Sequence, residues 1–303
     1  MTNKGEFVLR SVSGLWLMLV LSLPWGVARG AIEVVDDSGA TLRLAQPARR
    51  IISLAPHLTE LLFAVGAGDK LVGAVAHSDY PEAAKKIPSV GGYNSIDLET
   101  IVAMKPDLVV AWQSGNSTRQ LEELKRLGLT VFINEPRHLQ DIPATAIRLA
   151  QLAGSGDRGR KFAASYTQTL AQLREKYRGK KTISLFYEIW NQPLMTVNGK
   201  HLISDVMHLC GARNVFADAP TLALEVSVES VLFAAPQMIV AGGMGDRRPQ
   251  WLEDWRHWKQ IPAVKHHQLY FINPDIIQRH GPRILQGVKT LCAQVEQARA
   301  VYD

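Results

Sequence analysis

Two stretches of this chain repeat one another. Residues 97–102 read DLETIV and lead to PDLVVA at 106–111; residues 227–232, 130 positions later, read SVESVL and lead to PQMIVA at 236–241. In each copy a capping residue starts a helix, an acid follows in the first turn, and a proline ends the helix before an apolar strand. The repeat predicts one helix-to-strand unit in each half of the chain. Convergence of two ordinary capped helices would give a similar pattern.

The segments around both copies alternate between short β-rich runs and helical stretches. Strands are predicted at 50–55, 71–76, 107–112, 130–134, 182–189, 237–241 and 268–272, after a hairpin whose arms are 33–35 and 41–44. Helices are predicted near 57–65, 97–104, 117–127, 141–153 and 202–210, with a last helix from about Pro282. Strands that alternate with helices predict parallel sheets covered on both faces.

One longer helix separates the two halves. Apolar side chains from Phe162 to Tyr177 step by three or four residues, which is one helix face. The segment would be about 30 Å long and could be a core helix or a strut between lobes. We expect an α/β protein with two Rossmann-like lobes, at 31–154 and 180–303, joined by a helix at 155–179. A ligand cleft would lie between the lobes.

The first thirty residues have a different composition. Lys4 and Arg10 precede an apolar run at 15–23, and small residues follow up to Ala31. This pattern predicts a signal peptide at 1–30, cleaved near Gly30 or Ala31, and hence a periplasmic protein. An uncleaved membrane anchor is the alternative, but the run is about half of the roughly 20 residues needed to span a bilayer.

Composition excludes several classes of function. The net charge is +6, of which residues 1–30 contribute +2, and the remaining excess is spread along the sequence, so we expect no nucleic-acid partner. Cys210 and Cys292 are the two cysteines. In an oxidising compartment they predict one disulfide, with two buried thiols as the alternative.

Catalytic motifs are missing from the sequence. It contains no GxSxG, P-loop, HExxH or CxxC pattern, and Gly242–Gly245 lacks the spacing of a phosphate-binding loop. We therefore expect no enzyme activity and no prosthetic group. Three histidines fall at predicted strand ends or in early loops: His57, His77 and His280. For each of them a hydrogen-bonded surface position is expected rather than a role as a ligand.

Aromatic residues at predicted strand ends are better candidates for a binding cleft. They are Tyr80, Tyr93, Trp112, Tyr187 and Trp190, of which Trp112 and Tyr187 are more typical of the lobe cores.

Several motifs, in order, resemble one family. RRIISLAP at 49–56 with TELL at 59–62, SDYP at 78–81, the acidic segment at 97–99, KPDLV at 105–109, Cys210-Gly211 and PRIL at 282–285 resemble class III periplasmic binding proteins of ABC importers. The resemblance is strongest to the cobalamin-binding branch and covers almost all of the chain after residue 30. It implies two lobes that are bridged by a rigid helix and that close little when the ligand binds. It also implies that the protein is a monomer when it is not bound to the importer.

The resemblance also implies roles for particular residues. Glu99 and Glu229 would dock onto arginines of the membrane permease subunits of the importer. Ligand contacts would fall on His77, Tyr93 and the loop of Asp275, Ile276, Ile277, Gln278 and Arg279, with Arg279 meeting the polar rim of the corrinoid.

The sequence departs from the family at the ligand positions. His77 stands where well-known members carry Tyr, Tyr93 stands where they carry Trp, and a further Trp of the second lobe corresponds to Leu222 or Ala223. His77 is thus a candidate cobalt or iron ligand, although no metal site built by the protein itself is expected. Cobalamin is the expected transported ligand. Haem or a ferric siderophore is the alternative, and a periplasmic metalloenzyme is the more remote one.

Overall fold

The computed structural model describes residues 1–2, 31–243, 245 and 247–303. The signal peptide predicted for residues 1–30 lies outside the described residues, except for its first two. After residue 30 the first element is the predicted hairpin, formed by antiparallel strands β1 (Ile32–Val35) and β2 (Thr41–Leu44).

Four parallel strands form the main sheet of the first lobe, in the order β4-β3-β7-β8. They are β3 (Ile51–Ser53), β4 (Leu71–Ala74), β7 (Leu108–Trp112) and β8 (Val131–Asn134). A small hairpin of β5 (Gly91–Gly92) and β6 (Ser95–Ile96) precedes β7. The helices of this lobe are α1 (Pro56–Ala64), α2 (Leu98–Ala103) and α3 (Thr118–Arg126).

The second lobe has its own four-stranded parallel sheet, in the order β12-β9-β14-β15. Its strands are β9 (Ile183–Glu188), β12 (Ala212–Asn214), β14 (Met238–Ala241) and β15 (Leu269–Phe271). An antiparallel sheet of β10 (Trp190–Asn191), β11 (Leu194–Val197) and β13 (Ala223–Glu225) is added to it. The helices are α6 (Leu202–Leu209), α7 (Val228–Ala234), α8 (Pro262–Lys265) and α9 (Pro274–Ile277).

The two parallel sheets have the same topology. In each, the first strand along the chain lies between the second and the third, and the fourth lies at the far edge. Helix α2 leads into β7 and helix α7 leads into β14, which are the third strands of their sheets. The two copies of the sequence repeat therefore occupy equivalent positions, and the predicted helix-to-strand units are confirmed.

The long helix between the lobes belongs to both of them. Helix α5 (Gly156–Tyr177) packs against α1 and α4 (Asp141–Ala153) on one side, and against α6 and α10 (Ile284–Tyr302) on the other. A single cluster of buried apolar side chains runs from the first sheet to the second. The helix is thus a bridge and a core element at once. Its predicted boundaries as a separate segment, 155–179, stay a prediction.

The last helix begins two residues later than predicted. Arg283 is its N-cap, so Pro282 lies just before the helix and not in its first turn. Helix α10 is joined to the end of α6 by the predicted disulfide, Cys210–Cys292. Within the described part of the chain, none of the helices combines the length and apolar character required to span a bilayer.

Candidate ligand cleft between the lobes

The carboxyl ends of the two parallel sheets face each other. Residues 275–283, which follow β15, contact helix α1 and the loop after β4 of the first lobe. Gly281 lies directly against α1, since a Cβ atom built there would lie 3.0 Å from the carbonyl oxygen of His57. In open α/β sheets, ligands bind outside the carboxyl ends of the strands. These facing loops therefore form the candidate ligand cleft.

A buried acid of the first lobe holds two arginines of the second. The side chain of Glu60, on α1, is 1% exposed. Its two oxygens accept hydrogen bonds from Arg283 Nε at 2.9 Å and Nη2 at 2.7 Å, and its Oε1 also accepts from Arg279 Nη1 at 3.1 Å. Bidentate arginine–carboxylate pairs are among the strongest charge-assisted contacts in proteins. This contact ties the lobes together at the base of the cleft.

Arg279 also forms ion pairs with two other carboxylates. Its Nη1 donates to Asp79 at 2.8 Å and its Nη2 lies 2.9 Å from Asp275. Burial alone would raise the pKa of Asp79, but the hydrogen bond and the charge of Arg279 bring that pKa below its ordinary value. In this arrangement Arg279 is a lobe-to-lobe contact whose side chain is 13% exposed. A contact with the polar rim of a ligand would require it to exchange partners, and that role stays a prediction.

The rest of the predicted ligand loop is partly in the core. Ile277 is fully buried in the main apolar cluster, while Ile276 is half-buried beside it. The Nε2 of Gln278 donates to the buried hydroxyl of Tyr187 at 3.2 Å. Tyr187 is a core residue, as its position in β9 predicted. The loop thus presents Asp275 and the polar end of Gln278 more readily than its apolar side chains.

Three histidines meet a tryptophan at the same interface. The ring of His280 lies 5.9 Å from that of His57, 5.1 Å from that of His201 and 5.6 Å from that of Trp112, centroid to centroid. His57 Nε2 lies 3.2 Å from Asn134 Oδ1. Burial lowers the pKa of His57 and of His201 to about 4, and lowers that of His280 well below its ordinary range. The expectation that His57 and His280 are surface residues is therefore wrong.

His77 has a different environment. It is exposed, follows β4, and has a left-handed backbone with φ of 64°. It lines a cavity of about 220 Å³ together with Ser78, Asp79 and Lys85. This space fits a side chain or a small group, and a macrocycle would have to lie outside it. Among the described residues, no three metal-binding side chains come together, here or elsewhere.

One exposed tyrosine, Tyr80, lies in the same loop as His77, and another, Tyr93, lies in the β5–β6 hairpin, which is hydrogen-bonded to the start of that loop through Ala76. Tyr93 is at the tip of the β5–β6 hairpin, and Tyr80 packs over the guanidinium of Arg283, whose Cζ lies 4.2 Å from the ring centroid. The third cleft aromatic, Trp190 in β10, is half-buried, and its Nε1 donates to the Gln192 carbonyl at 2.9 Å. These rings provide flat apolar surfaces at the cleft mouth.

Asn116 fixes the position of the Tyr93 loop. Its Nδ2 donates to the carbonyl of Tyr93 at 2.6 Å and to that of Leu54 at 2.9 Å, and its Oδ1 accepts from the backbone N–H of Trp112 at 2.7 Å. It therefore ties the hairpin tip to the ends of β3 and β7. Neither Asn116 nor Glu60 was predicted from the sequence. For Glu60 a signal existed, since an acid among leucines on one helix face needs a buried partner.

The two predicted docking acids lie in the first turns of α2 and α7. Asp97 Oδ1 caps α2 by accepting from Thr100 N–H at 3.0 Å, and Ser227 Oγ caps α7 by accepting from Ser230 N–H at 3.2 Å. Glu99 and Glu229 are exposed, and no cation of the described residues forms an ion pair with either. The backbone N–H of Glu229 and the Ser227 hydroxyl lower the pKa of Glu229, so this acid carries its full charge at neutral pH.

Both acids lie at the same edge of their sheets as the cleft. A helix that leads into a parallel strand runs antiparallel to it, so its first turn lies near the carboxyl ends of the strands. Because α2 and α7 are equivalent, their acids flank the cleft in equivalent ways.

Comparison with known proteins identifies the class. The family model described as "Periplasmic binding protein" matches residues 51–276, and the chain belongs to this family of substrate-binding proteins. The vitamin B12-binding protein of Vibrio parahaemolyticus is 35% identical over 257 residues, which is 84% of this chain and 92% of that protein.

Solved structures agree with the fold. The crystal structure of the periplasmic vitamin B12 binding protein of Vibrio cholerae has a TM-score of 0.77 and 35% identity, and the match covers 83% of this chain and 98% of that one. The periplasmic heme-binding protein of Roseiflexus sp. RS-1 has a TM-score of 0.72 and 22% identity, and the match covers 83% of this chain and 99% of that one. The latter likeness concerns the fold alone.

Proposed function

We propose that this chain captures cobalamin in the cleft between its lobes and delivers it to an ABC importer. The observation that carries the proposal is the pair of exposed rings, Tyr80 and Tyr93, at the carboxyl edge of the first sheet. Flat aromatic faces pack well against a macrocycle. The relatives named as vitamin B12-binding proteins, at 35% identity over most of their length, support the same ligand.

His77 is the proposed contact to the metal of the ligand. A corrinoid or a porphyrin supplies the equatorial nitrogens itself, so the protein need add at most one axial imidazole, which in cyanocobalamin would have to displace one of the two axial ligands already bound to cobalt. A single exposed histidine, with one tyrosine in its own loop and another in the adjoining hairpin, fits that requirement better than a cluster of protein ligands would. Tyr93, Asp275, Ile276, Gln278 and Arg279 are the further proposed contacts, Arg279 after exchanging one of its carboxylate partners. Ile277, which is buried, would support the loop from behind.

The lobes are proposed to move little on binding. The apolar core is continuous between them, and Glu60 links α1 to two arginines of the second lobe. Closure would have to shear both contacts. The cleft is therefore preformed, and we propose that its loops adjust around the ligand.

Delivery is proposed to occur in the periplasm, through Glu99 and Glu229. A permease surface that pairs with both acids would cover the mouth of the cleft, because both lie at its edge. In keeping with the family, the chain would be an exported monomer without enzyme activity, prosthetic group or nucleic-acid partner. Glu99→Arg combined with Glu229→Arg should leave ligand affinity intact and abolish uptake. If ligand affinity falls as much as uptake does, the docking roles of Glu99 and Glu229 are contradicted.

Calorimetric titration with cyanocobalamin tests the ligand. The protein would be expressed from the full chain and purified from the periplasm. We expect binding at micromolar concentration or below, with a change in the visible spectrum of the corrinoid. Tyr93→Ala should weaken binding about 10- to 150-fold, since burying a large aromatic side chain is worth about 1.5–3 kcal/mol. Phe233→Ala, which removes an exposed ring remote from the cleft loops in sequence, is the matched control. Absence of heat and of any spectral change would reject cobalamin.

Haem is the second candidate, and the exposed His77 is the observation that favours it. Haem bound through this residue would give a Soret band whose position shifts in His77→Ala. If the protein binds haem with that signature and fails to bind cyanocobalamin, the haem assignment replaces the first.

A further inference from the structure

Phe233 is an exposed aromatic residue that the cleft does not explain. Its side chain is 93% exposed, whereas the next most exposed large apolar residues among 31–243, 245 and 247–303 are Val35 and Leu127, at 51% each. It lies in α7, four residues after Glu229. Side chains four residues apart lie on one helix face, with Cβ atoms about 5–6 Å apart. The acid and the ring therefore form one surface feature.

This feature borders a groove on the second lobe. The groove has a volume of about 510 Å³, and Glu229, Phe233, Phe216, Val215 and Arg213 line it. Phe216 packs with its inner side against Phe186 of β9, at 5.7 Å between ring centroids, so this wall of the groove is fixed by the lobe core. The groove is thus partly apolar and has a charged rim, as protein-binding surfaces often have.

The sequence repeat provides an internal control for Phe233. The equivalent residue of the first lobe, 130 positions earlier, is Ala103 at the end of α2. Helix α2 folds and leads into its strand in the same way with only a methyl group at this position. The ring of Phe233 is therefore not required by the helix-to-strand unit, and its exposure needs another reason.

Charge identifies the kind of surface that would cover it. Glu229 has no ion-pair partner among the described residues, although the chain as a whole has a net charge of +6. Arg213 lines the same groove, but the two side chains do not pair. A guanidinium is the group that can both pair with a carboxylate and stack on an aromatic face. One arginine of a partner would satisfy Glu229 and Phe233 together.

We propose that Phe233 is an apolar anchor for the permease of the importer, and that it makes docking asymmetric. An arginine of a periplasmic permease loop would pair with Glu229 while its guanidinium and stem lie on the Phe233 ring. In the first lobe Ala103 takes the place of Phe233, so Glu99 would form an ion pair without an aromatic contact beside it. The second lobe would then supply the longer-lived half of the contact. This inference rests on the proposed role of the chain as an importer receptor.

The test measures docking separately from ligand binding. The permease with its ATPase subunits, purified from the same bacterium and embedded in nanodiscs, would be titrated with the cobalamin-loaded wild-type protein and with Phe233→Ala. We expect the variant to dock about tenfold more weakly, mainly through faster dissociation, because an apolar contact acts on the off-rate. Its cobalamin affinity and melting temperature should be unchanged. Leu127→Ala, which removes another exposed apolar side chain, should dock like the wild type.

Three outcomes would overturn the inference in different ways. If Phe233→Ala docks as tightly as the wild type, the anchor role of Phe233 is rejected, while the receptor function of the chain stands. Cobalamin binding without any docking of the wild type would reject the permease partner itself, and the inference with it. If sedimentation instead shows a wild-type dimer that Phe233→Ala abolishes, with docking unchanged, the groove is covered by a second copy of the chain.

Discussion

Replacement of Glu60 by glutamine should weaken the whole fold, because this one acid accepts hydrogen bonds from two arginines at the lobe interface. Glu60 is almost fully buried, and the side chains of Arg279 and Arg283 are 13% and 14% exposed. Removing one partner of a buried ion pair costs about 3–5 kcal/mol, since the remaining charge is left uncompensated. The substituted amide would keep one accepting oxygen, and Arg279 would keep Asp79 and Asp275, so we expect the lower end, about 3 kcal/mol.

Urea unfolding followed by circular dichroism and tryptophan fluorescence would measure this change. Glu33→Gln is the matched control, since its ion pair with Arg43 is exposed on both sides and its loss should leave the midpoint of unfolding almost unchanged. Because the core is continuous between the lobes, both probes should report one transition in the wild type. A loss of less than about 1 kcal/mol in Glu60→Gln would refute the idea that this contact holds the lobes together.

Three further predictions concern buried polar groups. Because burial holds the pKa of His57 near 4, the unfolded chain binds a proton at this residue between about pH 6.5 and 4 that the folded chain does not. As the pH falls through that range, His57 alone should lower the free energy of unfolding by up to roughly 3 kcal/mol, and His201 and His280 act in the same direction, so His57→Gln should show a smaller total fall than the wild type. Burial raises the pKa of Glu188 to about 8, and its Oε2 accepts a hydrogen bond from Trp255 Nε1 at 2.8 Å. Because the folded chain resists ionisation of this acid, stability is lost as the pH rises toward 8. Glu188→Gln should therefore raise the melting temperature at pH 8 and change it little at pH 4. Asn116→Ala should lower cobalamin affinity through a loosened Tyr93 loop and cost about 1–3 kcal/mol in unfolding.

The alternation of elements was predictable because burial acts on short segments. A strand covered on both faces must be apolar along its whole length, so 107–112 and 237–241 are visible in the sequence alone. The repeat likewise fixed the equivalence of α2 and α7, since caps and first-turn acids are local features. The limits of each predicted element moved by only one or two residues, as at Pro282, whereas the short strands β10 to β13 were not predicted.

The lobe interface was not predictable in the same way. The ion pair between Glu60 and Arg283 joins residues 223 positions apart, and no local pattern connects them. The sequence favours a surface position for His57 because histidine is usually polar and accessible; its burial depends on Trp112 and His280 meeting it from two other segments. Residues that act between lobes depend on the packing of the lobes, which periodicity does not encode.

The repeat that fixes the fold also limits what docking can depend on. Two equivalent helices at one edge, held by a continuous core, would keep the proposed docking acids, Glu99 and Glu229, at a nearly constant separation. A receptor of this kind cannot signal occupancy by a large change in that separation, so ligand-dependent docking would have to arise from the loops between the acids. Phe233 breaks the equivalence on one side only. The lobes can therefore be alike in fold and different in their share of the docking energy.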